Sequence, residues 1–279
     1  MASLIECTAH DYHARSSLSR SQFDDYVKYG PEYFRDRHIT HIGVREVTPA
    51  MKRGTMLHAI VLEGKTVADL ADIWRDEVKA GTKNTTAWKT AKQVAYDCGK
   101  ELITSEEESH LHMTVLHILG EPAATSLFKR CQQREVSFEW TDEATGLELR
   151  ARADAMGDGI IADLKITELT LSNEAIAKQF SLRGGNYAMQ AAWYRRGAKA
   201  LTGKDHEFWF VFANPEPPYT VAVARPSDDW LLQADIDLGI RLADFAERKR
   251  TNNWNRTGYG QMAVIERPNY DKFTMEYDQ

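Results

Sequence analysis

Fifteen residues, Arg152 to Ile166 (RADAMGDGIIADLKI), constrain the fold more than any other stretch of the chain. Two alternating runs flank Met156-Gly157-Asp158-Gly159, a tight-turn signal, so the spacing predicts a β-hairpin. Side chains alternate across a strand, which puts Asp163 and Lys165 on one face and Ala162, Leu164 and Ile166 on the other. On the incoming strand Glu148, Arg150, Arg152 and Asp154 form the polar row, backed by Leu147, Leu149, Ala151 and Ala153. Asp154, Asp163 and Lys165 therefore share one polar face of an apolar ribbon. Two carboxylates converging beside a lysine are costly unless a cation or substrate compensates them. That combination suits divalent-cation binding and phosphodiester hydrolysis. An acidic-x-Lys triplet alone carries little, since Glu63/Lys65, Glu77/Lys79 and Glu247/Lys249 repeat it where the chain reads as helix or loop. Only Asp163-Leu164-Lys165 combines a strand, an apolar reverse face and an acidic partner on the preceding strand.

The chain has 279 residues, 43% hydrophobic and 27% charged, which supports an ordinary buried core. We expect one domain: a mainly helical part over 1–130, an α/β core over 131–225, and a C-terminal helix and tail over 226–279. No apolar run reaches the length of a membrane span and the N-terminus lacks a basic-then-apolar leader, so a soluble, cytoplasmic protein is expected. The three cysteines, Cys7, Cys98 and Cys131, lie far apart and read as buried or half-buried thiols, without a disulfide framework or metal knuckle. A net charge of −6 argues against a nonspecific nucleic-acid coat. It is compatible with a nuclease whose acidic ligands lower the total while a local basic channel holds DNA. Lys52/Arg53, Lys79/Lys83, Lys89/Lys92, Arg183 and Arg195/Arg196/Lys199 are the channel candidates, each equally readable as a solvated face.

Before the hairpin, Ser19 or Ser21 is a plausible N-cap for a helix bearing Phe23, Tyr26 and Val27, and Gly30-Pro31 ends it. Free N–H groups at such a start either are capped or hold a phosphate. A second helix follows Pro49, with Met56, Leu57, Ile60 and Val61 as its apolar side. His58, set among them, reads as a core histidine or as a ligand, depending on whether the fold brings it to Asp154. From Thr66 to about Leu119 the chain reads as charged helix, with Trp88 packing or stacking on a base, and with a helix start at Thr104. REVSFEWT at 134–141 reads as the first strand, and Glu139 on it is either an extra acid for the cluster or a solvent-facing strand residue. After the hairpin come a helix over 172–180, a loop at Arg183-Gly184-Gly185 and a helix over 186–201. Gln190 and Tyr194, four apart, share one face of that helix and would pair with each other if buried. Two strands (207–213 and 219–224), a helix over 227–250 with Trp230, Leu231, Ile236, Ile240, Leu242 and Phe245 as its apolar residues, and an aromatic tail with Trp254, Tyr259 and Tyr270 complete the chain.

The order of helix with His58, strand, hairpin with Asp154 and Asp163-x-Lys165, helix with Gln190-x-x-x-Tyr194, then strand resembles the PD-(D/E)xK nuclease superfamily. Within it the chain is most similar to the RecB-like exonucleases of the exonuclease VIII (RecE-type) prophage recombination group. Asp11-Tyr12-His13 and Ser19-Arg20-Ser21-Gln22 look like that group's opening segment, and Gly54-Thr55-Met56-Leu57-His58 looks like its Gly-Thr-x-x-His helix. The tail with Trp254, Gly258-Tyr259 and Pro268 is also similar. Arg152-Ala153-Asp154 stands where those enzymes have Arg-Pro-Asp, a departure at a residue that is not a ligand. The resemblance implies an α/β (α+β) restriction-endonuclease-like core, with a mixed central sheet flanked by helices behind a helical N-terminal region. It implies one or two Mg²⁺ or Mn²⁺ ions on His58, Asp154, Asp163 and the Leu164 carbonyl. Lys165 would orient or activate the attacking water, and Gln190 and Tyr194 would complete the site.

The activity implied is 5′-to-3′ degradation of linear double-stranded DNA. A 3′ single strand would be left for an annealing protein, and the enzyme would be a homo-oligomeric ring, trimer or tetramer, that acts away from membranes. Ser19, Ser21, Arg53, Arg152 and Arg183 are the candidate DNA contacts. The alternatives are a single-strand exonuclease or endonuclease of the same superfamily, and an inactive DNA-binding accessory with the same fold.

Overall fold

The structure, a computed structural model, describes residues 2–43, 47–76, 78–79, 82–262 and 264. In chain order the strands are β1 (Ala2–Leu4), β2 (Leu18–Ser19), β3 (Ala71–Trp74), β4 (Glu101–Thr104), β5 (Gln133–Thr141), β6 (Glu148–Gly157), β7 (Ile160–Ile166), β8 (Glu207–Ala213) and β9 (Val221–Ala224). The helices are α1 (Ala9–Ala14), α2 (Arg20–Tyr29), α3 (Pro31–Phe34), α4 (Pro49–Glu63), α5 (Val67–Leu70), α6 (Thr86–Asp97), α7 (Ser105–Gly120), α8 (Pro122–Arg130), α9 (Asn173–Phe180), α10 (Tyr187–Thr202) and α11 (Asp228–Thr251).

The strands form a mixed sheet of seven in the order β1-β5-β6-β7-β8-β9, with β2 pairing parallel to β6 off that path. The β6–β7 hairpin pairs Ala155 with Ala162, Met156 with Ile161 and Gly157 with Ile160, around a turn in which Gly159 has φ 71°. That left-handed conformation costs glycine nothing. β7 and β8 run parallel, joined through α9 and α10; β8 is buried and reads as a nearly continuous apolar run, whereas β7 keeps Asp163 and Lys165 on one face.

Alternation divides the core between two layers. Phe208, Phe210 and Phe212 of β8 pack with Phe23 of α2, Phe180 of α9, Trp193 of α10 and Leu238 and Phe245 of α11. Their neighbour Val211, with Ala162 and Leu164 of β7, packs instead with Leu62 of α4, Ile118 of α7 and Leu127 and Phe128 of α8. Helix α10 approaches the sheet closely because its inner face is small: a Cβ on Gly197 would lie 2.6 Å from ring atoms of Phe138 and Trp140. Gly197→Leu is expected to cost about 1–3 kcal/mol through overpacking, read as a lower denaturant midpoint at unchanged slope.

The hairpin, the helix starts at Ser19 and Thr104, the helix over 172–180 and the helix through His58 lie where the residue patterns put them. Four expectations need correction. The stretch read as helix from Thr66 contains β3 and β4, a separate parallel pair only four residues long per strand, too short for a two-residue period to register. The strand at 134–141 is preceded by β1 and β2, which borrow their stability from β5 and β6. Ile236 and Ile240 are exposed, and Ala234 and Leu238 face the core instead. Cys98 is exposed rather than buried, whereas Cys131 is buried and Cys7 half-buried. Trp88 is a packing residue, buried 5.3 Å from Trp74. In the tail Trp254 is buried on Phe34 and Phe245 and Tyr259 is exposed, while Pro268 and Tyr270 lie outside the described residues. Among the described residues no helix is long and apolar enough to cross a membrane.

Candidate active site

Past Ala155 the two hairpin strands cease to pair residue for residue, and the carboxylate of Asp154 enters the gap. Its Oδ2 accepts the Leu164 N–H at 2.8 Å, a donor the ladder would otherwise have used. On the other flank, pairing of Arg134 with Ala155 and of Val136 with Ala153 sets Glu135 opposite Asp154. Glu135 has φ 53°, a left-handed conformation that is strained for a side chain of this kind and that recurs at functional sites. Helix α4 then delivers His58, whose Nδ1 lies 3.5 Å from Asp154 Oδ2. His58, Glu135 and Asp154 each offer a ligand atom, all within 4.8 Å of one another.

Asp163 sits beside this group under a second set of contacts. Its Oδ1 accepts from Gln190 Nε2 at 2.5 Å. Its Oδ2 lies 2.5 Å from the Lys165 ammonium as an ion pair, yet is buried without an aligned hydrogen bond. Tyr194 donates to the Arg152 carbonyl at 3.1 Å, and Arg152 Nε meets Glu135 Oε2 at 2.6 Å. The expected Gln190–Tyr194 pair is therefore absent. Each side chain instead reaches across to the hairpin, the glutamine to a carboxylate and the tyrosine to backbone.

These groups line one cavity of about 550 Å³, together with Tyr12, His13, Ser19, Arg20, Ser21, Thr55 and Glu63. Burial and the neighbouring Asp163 push the Asp154 carboxyl well above the usual carboxylate range. Burial works to lower Lys165, but Asp163, Tyr187 and Asp154 outweigh it and hold the ammonium above its ordinary value. Burial, reinforced by Lys165, pushes the His58 imidazole down, leaving it neutral near pH 7 with a lone pair to offer. Burial raises Tyr194 well above the usual phenol and Tyr12 to about 12, so both keep their protons.

The donor set fits a hard divalent cation. It combines a neutral imidazole with carboxylates whose mutual repulsion only positive charge relieves, and Asp163 Oδ2 still lacks an aligned donor. Because the folded-state value of Asp154 is raised, its contribution stabilises below the unfolded carboxylate pKa and is lost as pH rises through the folded value. Without divalent cation, the thermal midpoint is expected to fall as pH rises above the ordinary carboxylate range. Asp154→Asn should remove that slope, and Mn²⁺ at 100-fold over its dissociation constant should restore about 2.7 kcal/mol. Scanning calorimetry across pH, with and without Mn²⁺, checks both.

Of the residues marked out in the sequence, His58, Asp154, Asp163, Leu164, Lys165, Gln190, Tyr194, Arg152, Ser19 and Ser21 come together at or beside this cavity. Three do not. Glu139 pairs with Arg15 at 2.5 Å and accepts from Ser17 in a separate cavity, because the register sets it opposite Arg150, four residues from Asp154 along β6. Arg53 is held by Glu168 and Glu216, each at 2.5 Å. Arg183 is exposed and lies outside the cavity lining. Among the other channel candidates, Lys52 pairs with Glu101, Lys83 with Glu107, Arg196 with Asp235 and Lys199 with Asp205, and Arg195 donates to the His206 carbonyl.

The sequence reading missed Glu135, because it shares its parity on β5 with Glu139 and only the observed β5–β6 register sets it opposite Asp154. Arg20 was missed as well. It is buried at the cavity beside Asp24, donates to the Asn186 carbonyl, and has an Nε with no partner.

A mixed sheet with helices on both faces, whose splayed hairpin presents acidic residues beside a lysine, defines the PDDEXK-like class. Residues 19–258 match the family described as PDDEXK-like domain of unknown function (DUF3799), and the chain belongs to that family. Among solved structures it is similar to that of a proposed exonuclease from Eubacterium rectale, at 15% identity and a TM-score of 0.62, over 98% of this chain and 99% of that one. That likeness concerns the fold. Protein VC1899 from Vibrio cholerae aligns at 10% identity and a TM-score of 0.23, over 90% of this chain and 58% of that one, too low to carry an argument. No curated protein matches.

Proposed function

We propose that the protein is a divalent-cation-dependent exodeoxyribonuclease that degrades linear double-stranded DNA from its ends, 5′ to 3′. In this reading it leaves a 3′ single strand for an annealing partner in recombination, and it works as a homo-oligomeric ring. The observation that carries the nuclease reading is the convergence of His58, Glu135 and Asp154 on one side of Asp163 with Lys165 on the other, inside one cavity. His58, Glu135 and Asp154, with Asp163 and the Leu164 carbonyl adjacent, would hold Mg²⁺ or Mn²⁺. When bound, the ion would acidify water and offset charge on the phosphate.

The protein's own groups do the rest. Lys165 keeps an ammonium next to Asp163, where it orients a water and stabilises negative charge developing on the phosphoryl oxygens. Gln190 fixes the rotamer of Asp163, and Tyr194 ties α10 to the Arg152 backbone. Ser19, Ser21, Arg20 and Arg152 supply donors at the cavity for the DNA backbone, and the polarity proposed here requires them to receive the phosphate of a 5′ end.

Digestion of end-labelled linear duplex, with and without a 5′ phosphate, tests this reading against covalently closed circles. Cleavage is expected only of linear DNA, only with Mg²⁺ or Mn²⁺ and not with EDTA, and faster with the 5′ phosphate. Cutting of closed circles would replace exonuclease with endonuclease. Absence of cleavage on every substrate with Mn²⁺ would leave a DNA-binding fold without activity.

A further inference from the structure

The loop ahead of α10 is built around one ring. Lys165 Nζ lies 5.1 Å from the centroid of Tyr187, besides its 2.5 Å contact with Asp163. Tyr187 is the first residue of α10, and its ring stacks on Phe210 with centroids 5.3 Å apart and planes 27° apart. Phe212 lies 6.0 Å from the same ring. Against it sits Gly185, where an added Cβ would fall 2.6 Å from ring atoms of Tyr187. Between them Asn186 takes a left-handed φ of 56° and is anchored from both ends: its carbonyl accepts from Arg20 and its Nδ2 donates to Asp24. The loop residues thus hold the Tyr187 ring in one place, next to the lysine.

We propose that Tyr187 is a positioning residue for Lys165. Its ring face receives the ammonium and keeps it beside Asp163, and Gly185 is bare because a side chain there would displace the ring. A lysine ends in a compact charge on a flexible four-carbon stem, so its placement must come from its surroundings. Asp163 supplies one wall and the ring the other. An aromatic face attracts a cation most strongly where water is excluded, as on this half-buried lysine. The hydroxyl of Tyr187 has no part in the role, which belongs to the ring. The kinetic consequence rests on the nuclease reading, whereas the placement of the ammonium does not.

Two measurements test the proposal. In cleavage assays Tyr187→Leu is expected to lower kcat about tenfold with KM within about twofold, while Tyr187→Phe retains most of the rate. Gly185→Ala should also lower kcat, but should add nothing in the Tyr187→Leu background, because both changes act through the same ring. In NMR spectra of lysine-labelled protein, the Lys165 methylene protons next to the ammonium should be shifted upfield by the ring in wild type and Tyr187→Phe, and not in Tyr187→Leu. An unchanged kcat in Tyr187→Leu, equal losses in the Phe and Leu variants, or unshifted protons in wild type would each overturn it. If wild type cleaves nothing, the nuclease reading fails and the ring shift still decides the placement. If the Leu variant does not fold, the wild-type shift and the Phe variant decide it.

Discussion

Replacing Lys165 by alanine is expected to slow cleavage of linear duplex DNA by about 10²–10³, the usual cost of removing one charged donor from a preorganised transition-state site. The ammonium is the positive group closest to Asp163, at 2.5 Å, and that carboxylate is almost wholly buried. Its loss removes both the charge facing the phosphate and the compensation for a buried acid. The variant should still bind Mn²⁺, because His58, Glu135 and Asp154 are untouched. Single-turnover rates with saturating Mn²⁺ check the first expectation and calorimetric titration the second. Full activity in Lys165→Ala would remove the lysine from the chemistry and with it the strongest reason for reading the cavity as a hydrolytic site. Asp163→Ala should be equally inactive, since it strips Gln190 and Lys165 of their common partner.

The second large effect concerns a residue with no motif to announce it. Glu135→Ala should weaken Mn²⁺ binding by about 10-fold to 100-fold, the range seen when groups around a metal are removed. It also leaves the Arg152 guanidinium, held at 2.6 Å by this carboxylate and already short of one partner at Nη1, free to turn toward the remaining acids. Cleavage at limiting Mn²⁺ should fall in parallel and recover in part as Mn²⁺ is raised. Glu139→Ala, four residues further along the same strand, should leave Mn²⁺ affinity unchanged, because Arg15 and Ser17 hold that carboxylate elsewhere. Equal effects of the two substitutions would show that Glu135 is not a ligand.

The contrast between these glutamates explains what was readable in advance. Period-two alternation and the Gly-Asp-Gly turn identify the β6–β7 hairpin from local sequence, because each strand carries its own face pattern. The helix starts at Ser19 and Thr104 were legible for the same reason, a short polar side chain meeting a backbone donor three residues on. Alternation says which residues share a face, but choosing Glu135 over Glu139 needs the inter-strand register. Both lie on β5 with the same parity, and their distances from Asp154 differ by four residues of strand. The partner of Gln190 was equally out of reach, because the sequence shows that Gln190 and Tyr194 share a helix face and not what that face meets.

What the amino-acid order determined alone was a hairpin with two aspartates and a lysine on one side, a histidine on an amphipathic helix, and a polar pair four apart on another. Local periodicity and turn chemistry carry that much, because they depend on neighbours within a few bonds. Only the tertiary structure decided that α4 brings His58 within 3.5 Å of Asp154, that Glu135 and not Glu139 joins them, and that Arg53 is spent on Glu168 and Glu216. The His58 and Arg53 contacts join residues far apart in the chain, through helices packed on the sheet, and the Glu135 contact depends on strand register, neither of which a local pattern encodes.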